Sequence, residues 1–580
     1  MAINRTTPPS GRIGSSKSRS GCKTCKIRRV KCGEEKPSCL RCTSTGRKCD
    51  FENNAIGTSP PTPSMPTSLI PSPSHTLSSS PNSGRRERRA FGYYFQHAAQ
   101  YLSGGMDIDF WTGVVPQICR TEPAVWDAII AISALFEYPE QCLDFTFLRH
   151  KQKDAHLLKQ SQKEALVWYS RSISSIHSQI ERGSADPYIA LISCVLFICV
   201  ETIQGRMEEA LQLLRQGMSL ILDLRVKALH GTVSASKAAL LENTIIPLFL
   251  RLNTIALTIS GTQPSELFPF ENNKYDGFSS LGSARQSITT LGAECILFQR
   301  DAGVHLQAFG GDVCVSQDLF IKQQELQDRL ARWKKAYTDL CHSLRHKSPI
   351  PLEYSIYTEP TLLAYHAAAS VYVAGSLTKH ETVYDDYLDD FRVIVEQSSL
   401  TLDASKKPNG AQPPFTFEMG VGLPLFVAAA KCRHPGLRRR ALQLLRRAPP
   451  VQGFYKCPPV TALAEHLMQV EEGHSIVLNK AVGQDAAAEI AAIVASQQGP
   501  LSGNHVNETI PLSLIIPEEA RICDTGVFRL RDGLPYDVCE DDVMKWNPGP
   551  EQLFMTLRRL RRDPVTTSWE VYCDCIPMNF

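Results

Sequence analysis

Residues 21–49 read GCKTCKIRRVKCGEEKPSCLRCTSTGRKC, with cysteines at 22, 25, 32, 39, 42 and 49. The spacing writes one unit, C-x2-C-x6-C, twice, so two equivalent halves each present three thiols. A segment this short and polar has almost no apolar core, and bound metal is its expected source of folding energy. Tetrahedral zinc takes four ligands; two ions then need eight ligand positions, which six sulfurs supply only if two of them bridge both metals. The expected cofactor is therefore a pair of zinc ions per chain. Six thiolates and two divalent cations leave a formal charge of about −2, which the interleaved Lys, Arg and backbone N–H groups can offset. A disulfide knot would need an oxidising compartment, and the opening MAINRTTPPSGR has no apolar h-region of a secretory signal. An iron–sulfur cluster would need neither the doubled unit nor the basic interleaving.

Charge follows the same division. Residues 1–50 hold 13 Lys or Arg against 3 Asp or Glu, a net of +10 in a chain whose total is +3, leaving −7 for residues 51–580. A small basic head on a mildly acidic body is the electrostatic footprint of phosphate binding. Of the 19 cysteines, the 13 outside the cluster are scattered from Cys119 to Cys575. The longest apolar run, Ile189 to Val200, contains Ser193 and is too short to span a bilayer, so a buried core helix and no membrane partner are expected.

The cluster resembles the fungal-type Zn2Cys6 binuclear cluster of transcription factors, without gaps and including the basic run between the second and third cysteines and Pro37 before the fourth. In that family the first and fourth cysteines bridge. The resemblance implies one zinc on Cys22, Cys25, Cys32 and Cys39 and the other on Cys22, Cys39, Cys42 and Cys49, with Pro37 reversing the chain between the halves. It also places Arg28 and Arg29 where the first helix meets the major groove of double-stranded DNA, against guanines of a CGG-like triplet. A guanidinium can donate two hydrogen bonds to guanine O6 and N7, so the chemistry suits that role. Lys26, Lys31, Arg41, Arg47 and Lys48 are read as contacts that add affinity and salt dependence rather than sequence information, Lys17 and Arg19 of the arm can do the same, and Lys23 joins the DNA-binding set on the first zinc-pinned turn. A basic run also serves nuclear import, so a nuclear location is expected.

Outward from the cluster, residues 1–20 read as a disordered basic arm, 21–51 as the DNA-binding head and 52–85 as a disordered Pro/Ser-rich linker. Residues 86–505 read as a large helical domain, with apolar residues recurring at three and four along Glu122–Tyr138, Asp154–Glu181, Tyr188–Gln204, Met207–Leu224, Gln317–Leu344 and Leu437–Arg447. Residues 506–580 read as an extension with short strands at Thr509–Ile516, Arg521–Leu530 and Trp569–Ile576, with Asp532-Gly533 as a turn. The fold class expected is mostly α, with a small zinc head and a small β appendage. Three stretches of the body, TEPAVWDAIIAISALFE (121–137), LISCVLFICVETIQGRMEEALQLLRQGMSLI (191–221) and FEMGVGLPLFVAAAKCRHPGLRRRALQLL (417–445), resemble the fungal-specific transcription factor domain. That resemblance implies a regulatory region without catalytic chemistry.

No P-loop, dinucleotide-binding glycine motif, zinc-protease motif or nucleophile elbow is present, and no catalytic residue is expected. Cys432 and His434 read as core and helix boundary, and Arg438–Arg440 with Arg446 and Arg447 as one solvated helix face. Asp537–Trp546, DVCEDDVMKW, mixes acid and hydrophobe in the manner of an activation patch. Residues 51–84 carry no heptads, so a homodimer would use the helical body, and a monomer reading one triplet is the alternative. Transcriptional co-regulators are the other expected partners. The competing function is a zinc-stabilised scaffold or corepressor that holds a protein instead of DNA.

Overall fold

The computed structural model describes residues 20–28, 30–36, 38–46, 49, 84–104, 106–139, 159–230, 233–259, 262–268, 277–308, 315–347, 355–482, 516–549 and 551–578. Residues 1–19 of the expected arm, the linker as far as 83, the first residues of the expected Asp154 helix and all but Ile516 of the expected Thr509 strand lie outside them. Two compact units divide the chain, Met1–His75 and Thr76–Phe580.

In the first unit each C-x2-C opens a short helix, Lys23–Ile27 and Leu40–Thr43. Cys22 occupies the first N-cap and its sulfur accepts the Cys25 N–H, while Cys39 occupies the second N-cap. Helices of four and five residues are far below the length at which a helix holds itself in water, so what pins them is the sulfur cluster between them.

The second unit is built of helices. Pro123–Glu137 packs against Gln160–Glu181 and Pro187–Ile203, and Pro187–Ile203 against Met207–Leu229. The apolar run becomes the centre of this group. Asp186 caps it, accepting the Tyr188 N–H at 2.9 Å, Pro187 begins its first turn, and Leu191, Ile192, Val195, Leu196, Ile198, Cys199 and Val200 are fully enclosed. A helix apolar all round is a core helix, and among the described residues none is long and apolar enough to cross a membrane. A second apolar cluster joins Ser355–Ala374, Leu388–Ala404, Gly422–Lys431 and Pro435–Arg447, and a third joins Leu281–Ala308 to Gln317–Lys347 around Trp333.

Among the described residues, two three-stranded sheets complete the unit. The first was not expected from sequence: β1 (Phe415–Thr416) pairs parallel with β2 (Val451–Gln452), which pairs antiparallel with β3 (Tyr455–Lys456) across Gly453, whose φ is +53°. Two-residue strands carry no readable period, and left-handed glycine is what the tight turn requires. The second sheet is antiparallel in the order β4 (Ile522–Arg529), β5 (Leu553–Arg562), β6 (Trp569–Met578). Its central strand was missed because both faces are covered: Leu553, Met555 and Leu557 lie on Leu463 and Leu467 of the helix Cys457–Val482, while Phe554 meets Val543 from the other side. Covered on both sides, a strand loses the alternation by which it would be read.

That second covering corrects part of the activation-patch reading. Helix Glu540–Met544 buries Val543, and Asp537 holds Arg558 of β5 at 2.6 and 2.8 Å. Asp537 and Val543 therefore serve as structural cover for the sheet. The Arg438–Arg440 reading changes as well. Arg438 is fully enclosed, donating to the Ala429 carbonyl at 2.8 Å and to Glu471 at 2.6 Å, so the helix Pro435–Arg447 turns a cation inward. Arg439, Arg446 and Arg447 pair with Glu472, Glu465 and Asp403. The sequence pattern marks the charges but not the acids on other helices that neutralise them.

Glu471 is the hub of a buried polar brace between helices and sheet. It accepts from Arg433 and Arg438, each at 2.6 Å, and from the Ile522 N–H at the start of β4 at 2.8 Å. Arg433 also reaches Glu381 at 2.8 Å, and Lys431 reaches the same carboxylate at 2.7 Å. Arg521 clamps Asp385 with two bonds of 2.8 and 2.9 Å. A second brace sets Asp107 and Glu418 against Arg251 and Arg285. Gly104, with φ at +53°, runs so close to Glu418 that a Cβ would collide with its side chain at 2.6 Å.

Candidate metal centre and nucleic-acid interface

Six thiols converge in the head. Their Sγ atoms form two overlapping groups of four, Cys22, Cys25, Cys32 and Cys39 in one and Cys22, Cys39, Cys42 and Cys49 in the other, with every pair in a group within 4.8 Å. Cys22 and Cys39 belong to both. Individual separations are 3.7 Å for Cys22 to Cys39, 3.7 Å for Cys22 to Cys42 and 3.6 Å for Cys25 to Cys39. A zinc–sulfur bond of about 2.3 Å gives a tetrahedron with edges of about 3.8 Å, so the donor set fits zinc in spacing as well as in chemistry.

Backbone donors converge on the same sulfurs. The Cys22 N–H lies 3.3 Å and the Glu34 N–H 3.4 Å from Cys32 Sγ, the Cys25 N–H is 3.4 Å from Cys22 Sγ, and the Cys39 N–H is 3.2 Å from Cys49 Sγ. Such bonds orient ligands and ease their negative charge. Burial works to raise the Cys39 thiol, but the Cys42 N–H and the neighbouring thiols outweigh it and hold Cys39 at about 6. Burial and the crowd of thiols push Cys25 well up, and Cys49 to about 12 despite the Cys39 N–H. Thiols this close cannot all ionise without a cation among them, and a divalent metal is what reverses that balance.

Around the cluster the cations face outward. Lys23 and Lys26 on the first helix, Lys31 beyond it and Arg41 on the second helix are exposed. Arg28 forms the C-cap of the first helix and donates from Nη1 to Thr45 Oγ1 at 3.2 Å, with Thr45 in turn donating to the Arg41 carbonyl at 2.8 Å. Thr45, which sequence reading did not single out, thus ties the Arg28 side chain to the second helix; a hydroxyl four residues after Arg41 is the hint the sequence offers. Ile27 and Leu40 are also exposed, an apolar pair that the charge pattern masked. Arg29, Arg47, Lys48 and Pro37 lie outside the described residues, as do Lys17 and Arg19. In the body, Cys432 is core, its thiol pushed to about 12 by burial, and His434 caps the helix Pro435–Arg447 by accepting the Leu437 N–H at 3.3 Å.

Comparison with known proteins agrees with this division. The fungal specific transcription factor domain matches residues 89–457 and the fungal Zn(2)-Cys(6) binuclear cluster domain matches residues 20–55. The chain belongs to the fungal specific transcription factor domain family, in the form that carries a Zn(2)-Cys(6) cluster at its head. Among curated relatives, it is 27% identical over 289 residues, 44% of this chain, to the aspercryptin biosynthesis cluster-specific transcription regulator of Emericella nidulans. It is 31% identical over 139 residues, 23% of this chain, to a Zn(2)-C6 fungal-type transcription factor of Aspergillus fumigatus. Over 88 residues, 13% of this chain, it is 36% identical to the transcriptional regulatory protein moc3 of Schizosaccharomyces pombe. The chain spans 42%, 36% and 17% of the lengths of these relatives. No solved structure matches it.

Proposed function

We propose that this chain is a nuclear transcription regulator that binds duplex DNA sequence-specifically at RNA polymerase II promoters. The observation that carries the reading is the pair of overlapping four-sulfur groups sharing Cys22 and Cys39, ringed by exposed cations. In this reading Cys22, Cys25, Cys32, Cys39, Cys42 and Cys49 hold two zinc ions, with Cys22 and Cys39 bridging. Zinc supplies the fixed frame; the chain's own residues do the recognising. Arg28 and Arg29 read a CGG-like triplet in the major groove, and Lys23, Lys26, Lys31, Arg41, Arg47 and Lys48 bind phosphates. The helical body carries any homodimer contact and the docking of co-regulators.

An Arg28→Ala chain tests the division of labour. Its zinc content, read by native mass spectrometry, should equal that of the wild type, while its preference for the triplet over a permuted duplex should fall by about 1 to 3 kcal/mol. Equal loss on both duplexes would make Arg28 a phosphate contact instead. Failure of the wild-type chain to prefer any duplex, with both zinc ions bound, would favour a protein-binding head.

A further inference from the structure

The helix Arg85–Tyr93 opens the second unit with RRERR, and nothing in the proposed reading uses it. Phe91 and Tyr94 bury its far end in the first apolar cluster, stacking Phe91 on Trp126 at 4.9 Å, so the helix is anchored and its first turns point outward. Arg85, Arg86, Arg88 and Arg89 are all exposed. Arg86 meets Glu164 at 3.4 Å with 91% of its side chain still exposed, and Arg89 meets Glu137 with 66% exposed. Arg85 and Arg88 have no carboxylate partner among the described residues.

We infer that Arg85 and Arg88, on the anchored helix Arg85–Tyr93, bind backbone phosphates of the same DNA duplex that the cluster reads. Three features favour a polyanion. The four guanidiniums occupy the first two turns of a helix, where the dipole already disfavours cations; Glu164 and Glu137 pair with Arg86 and Arg89, and Glu87 is the acid in the helix's own first turn, so a phosphate arriving at Arg85 and Arg88 relieves repulsion as well as gaining charge-assisted bonds. The packed helix already fixes the backbone beneath these guanidiniums, so binding costs side-chain freedom alone. Arg85 also follows Cys49, the last cluster cysteine, by only 36 positions in the chain, so docking of the head makes the second contact intramolecular. An import receptor that reads an extended basic chain would first have to unwind the opening turns of this helix. The inference rests on duplex binding by the head, and its contribution is affinity and salt dependence without sequence information.

The test compares the full zinc-loaded chain with Arg85→Ser/Arg88→Ser and Arg85→Lys/Arg88→Lys double variants. Fluorescence anisotropy on a duplex that the wild type prefers is read from low to moderate NaCl. The slope of log K against log salt should be shallower by about 2 in the Ser variant and unchanged in the Lys variant, with triplet preference the same in all three. Identical slopes in wild type and Ser variant would overturn the inference while leaving the proposed function standing. Identical slopes together with loss of nuclear accumulation in the Ser variant would assign the patch to an import receptor. No duplex binding by the wild type would overturn both. Unchanged helical content by circular dichroism separates a lost contact from a melted helix.

Discussion

A Cys39→Ala chain is expected to lose its bound zinc and its duplex binding together, while the helical body melts at the wild-type temperature. Cys39 stands in both four-sulfur groups, so its removal leaves each with three thiols. The backbone N–H of residue 39, which donates to Cys49 Sγ, survives in alanine, so what the substitution strips is a sulfur shared by both groups. Apart from the cysteines, the described head has no buried apolar cluster, and a segment of that kind folds only with its metal. The loss should therefore be complete rather than graded. Cys49→Ala, which touches one group only, should leave a single ion bound more weakly. Native mass spectrometry reads the metal count and calorimetry reads the body. Two zinc ions retained by the Cys39 variant would mean that Cys39 does not bridge.

The second large effect lies far from DNA. Glu471→Ala should destabilise the second unit by about 3 to 5 kcal/mol, because Arg433 and Arg438 would then face each other in the interior with half their compensation gone. Burial alone would raise the Glu471 carboxyl, but the two guanidiniums and the Ile522 N–H bring it from 4.5 down to about 2. A carboxylate depressed in the folded state binds fewer protons there than in the unfolded chain. Its stabilisation, about 3 kcal/mol on this shift, is fully present above about pH 4.5 and disappears as pH falls toward 2. Chemical denaturation of wild type and Glu471→Gln between pH 7 and pH 3 measures it. The gap between the two proteins should narrow as pH falls, and a gap independent of pH would contradict the charge account.

What sequence could and could not convey follows from the range of the interactions. The six cysteines and their doubled spacing were legible because they lie within one short segment, whereas which sulfurs group together was implied by the family resemblance and not by the spacings themselves. Pro187–Ile203 was legible because its apolar run is continuous, and Met207–Leu229 because its pattern repeats at helical spacing. Strand β5 was not, because its environment on both faces comes from segments as distant as Leu463 and Val543. Arg438 looked like a surface charge for the same reason: the acid that draws it inward is 33 positions away on another helix. Thr45 escaped notice because its role depends on where the Arg28 side chain turns. The RRERR segment fell across the expected boundary between linker and body at 85 and 86, and which of its arginines meet a carboxylate is set by Glu137 and Glu164, far along the chain.

The most direct test of the central claim is selection from a random duplex library by the full chain, run in parallel with zinc and after chelation. Enrichment of a CGG-like triplet in the zinc sample alone is the predicted result, with single or paired triplets reporting whether one head or two engage the DNA. Equal enrichment after chelation, or none from a chain shown to hold two zinc ions, would contradict it.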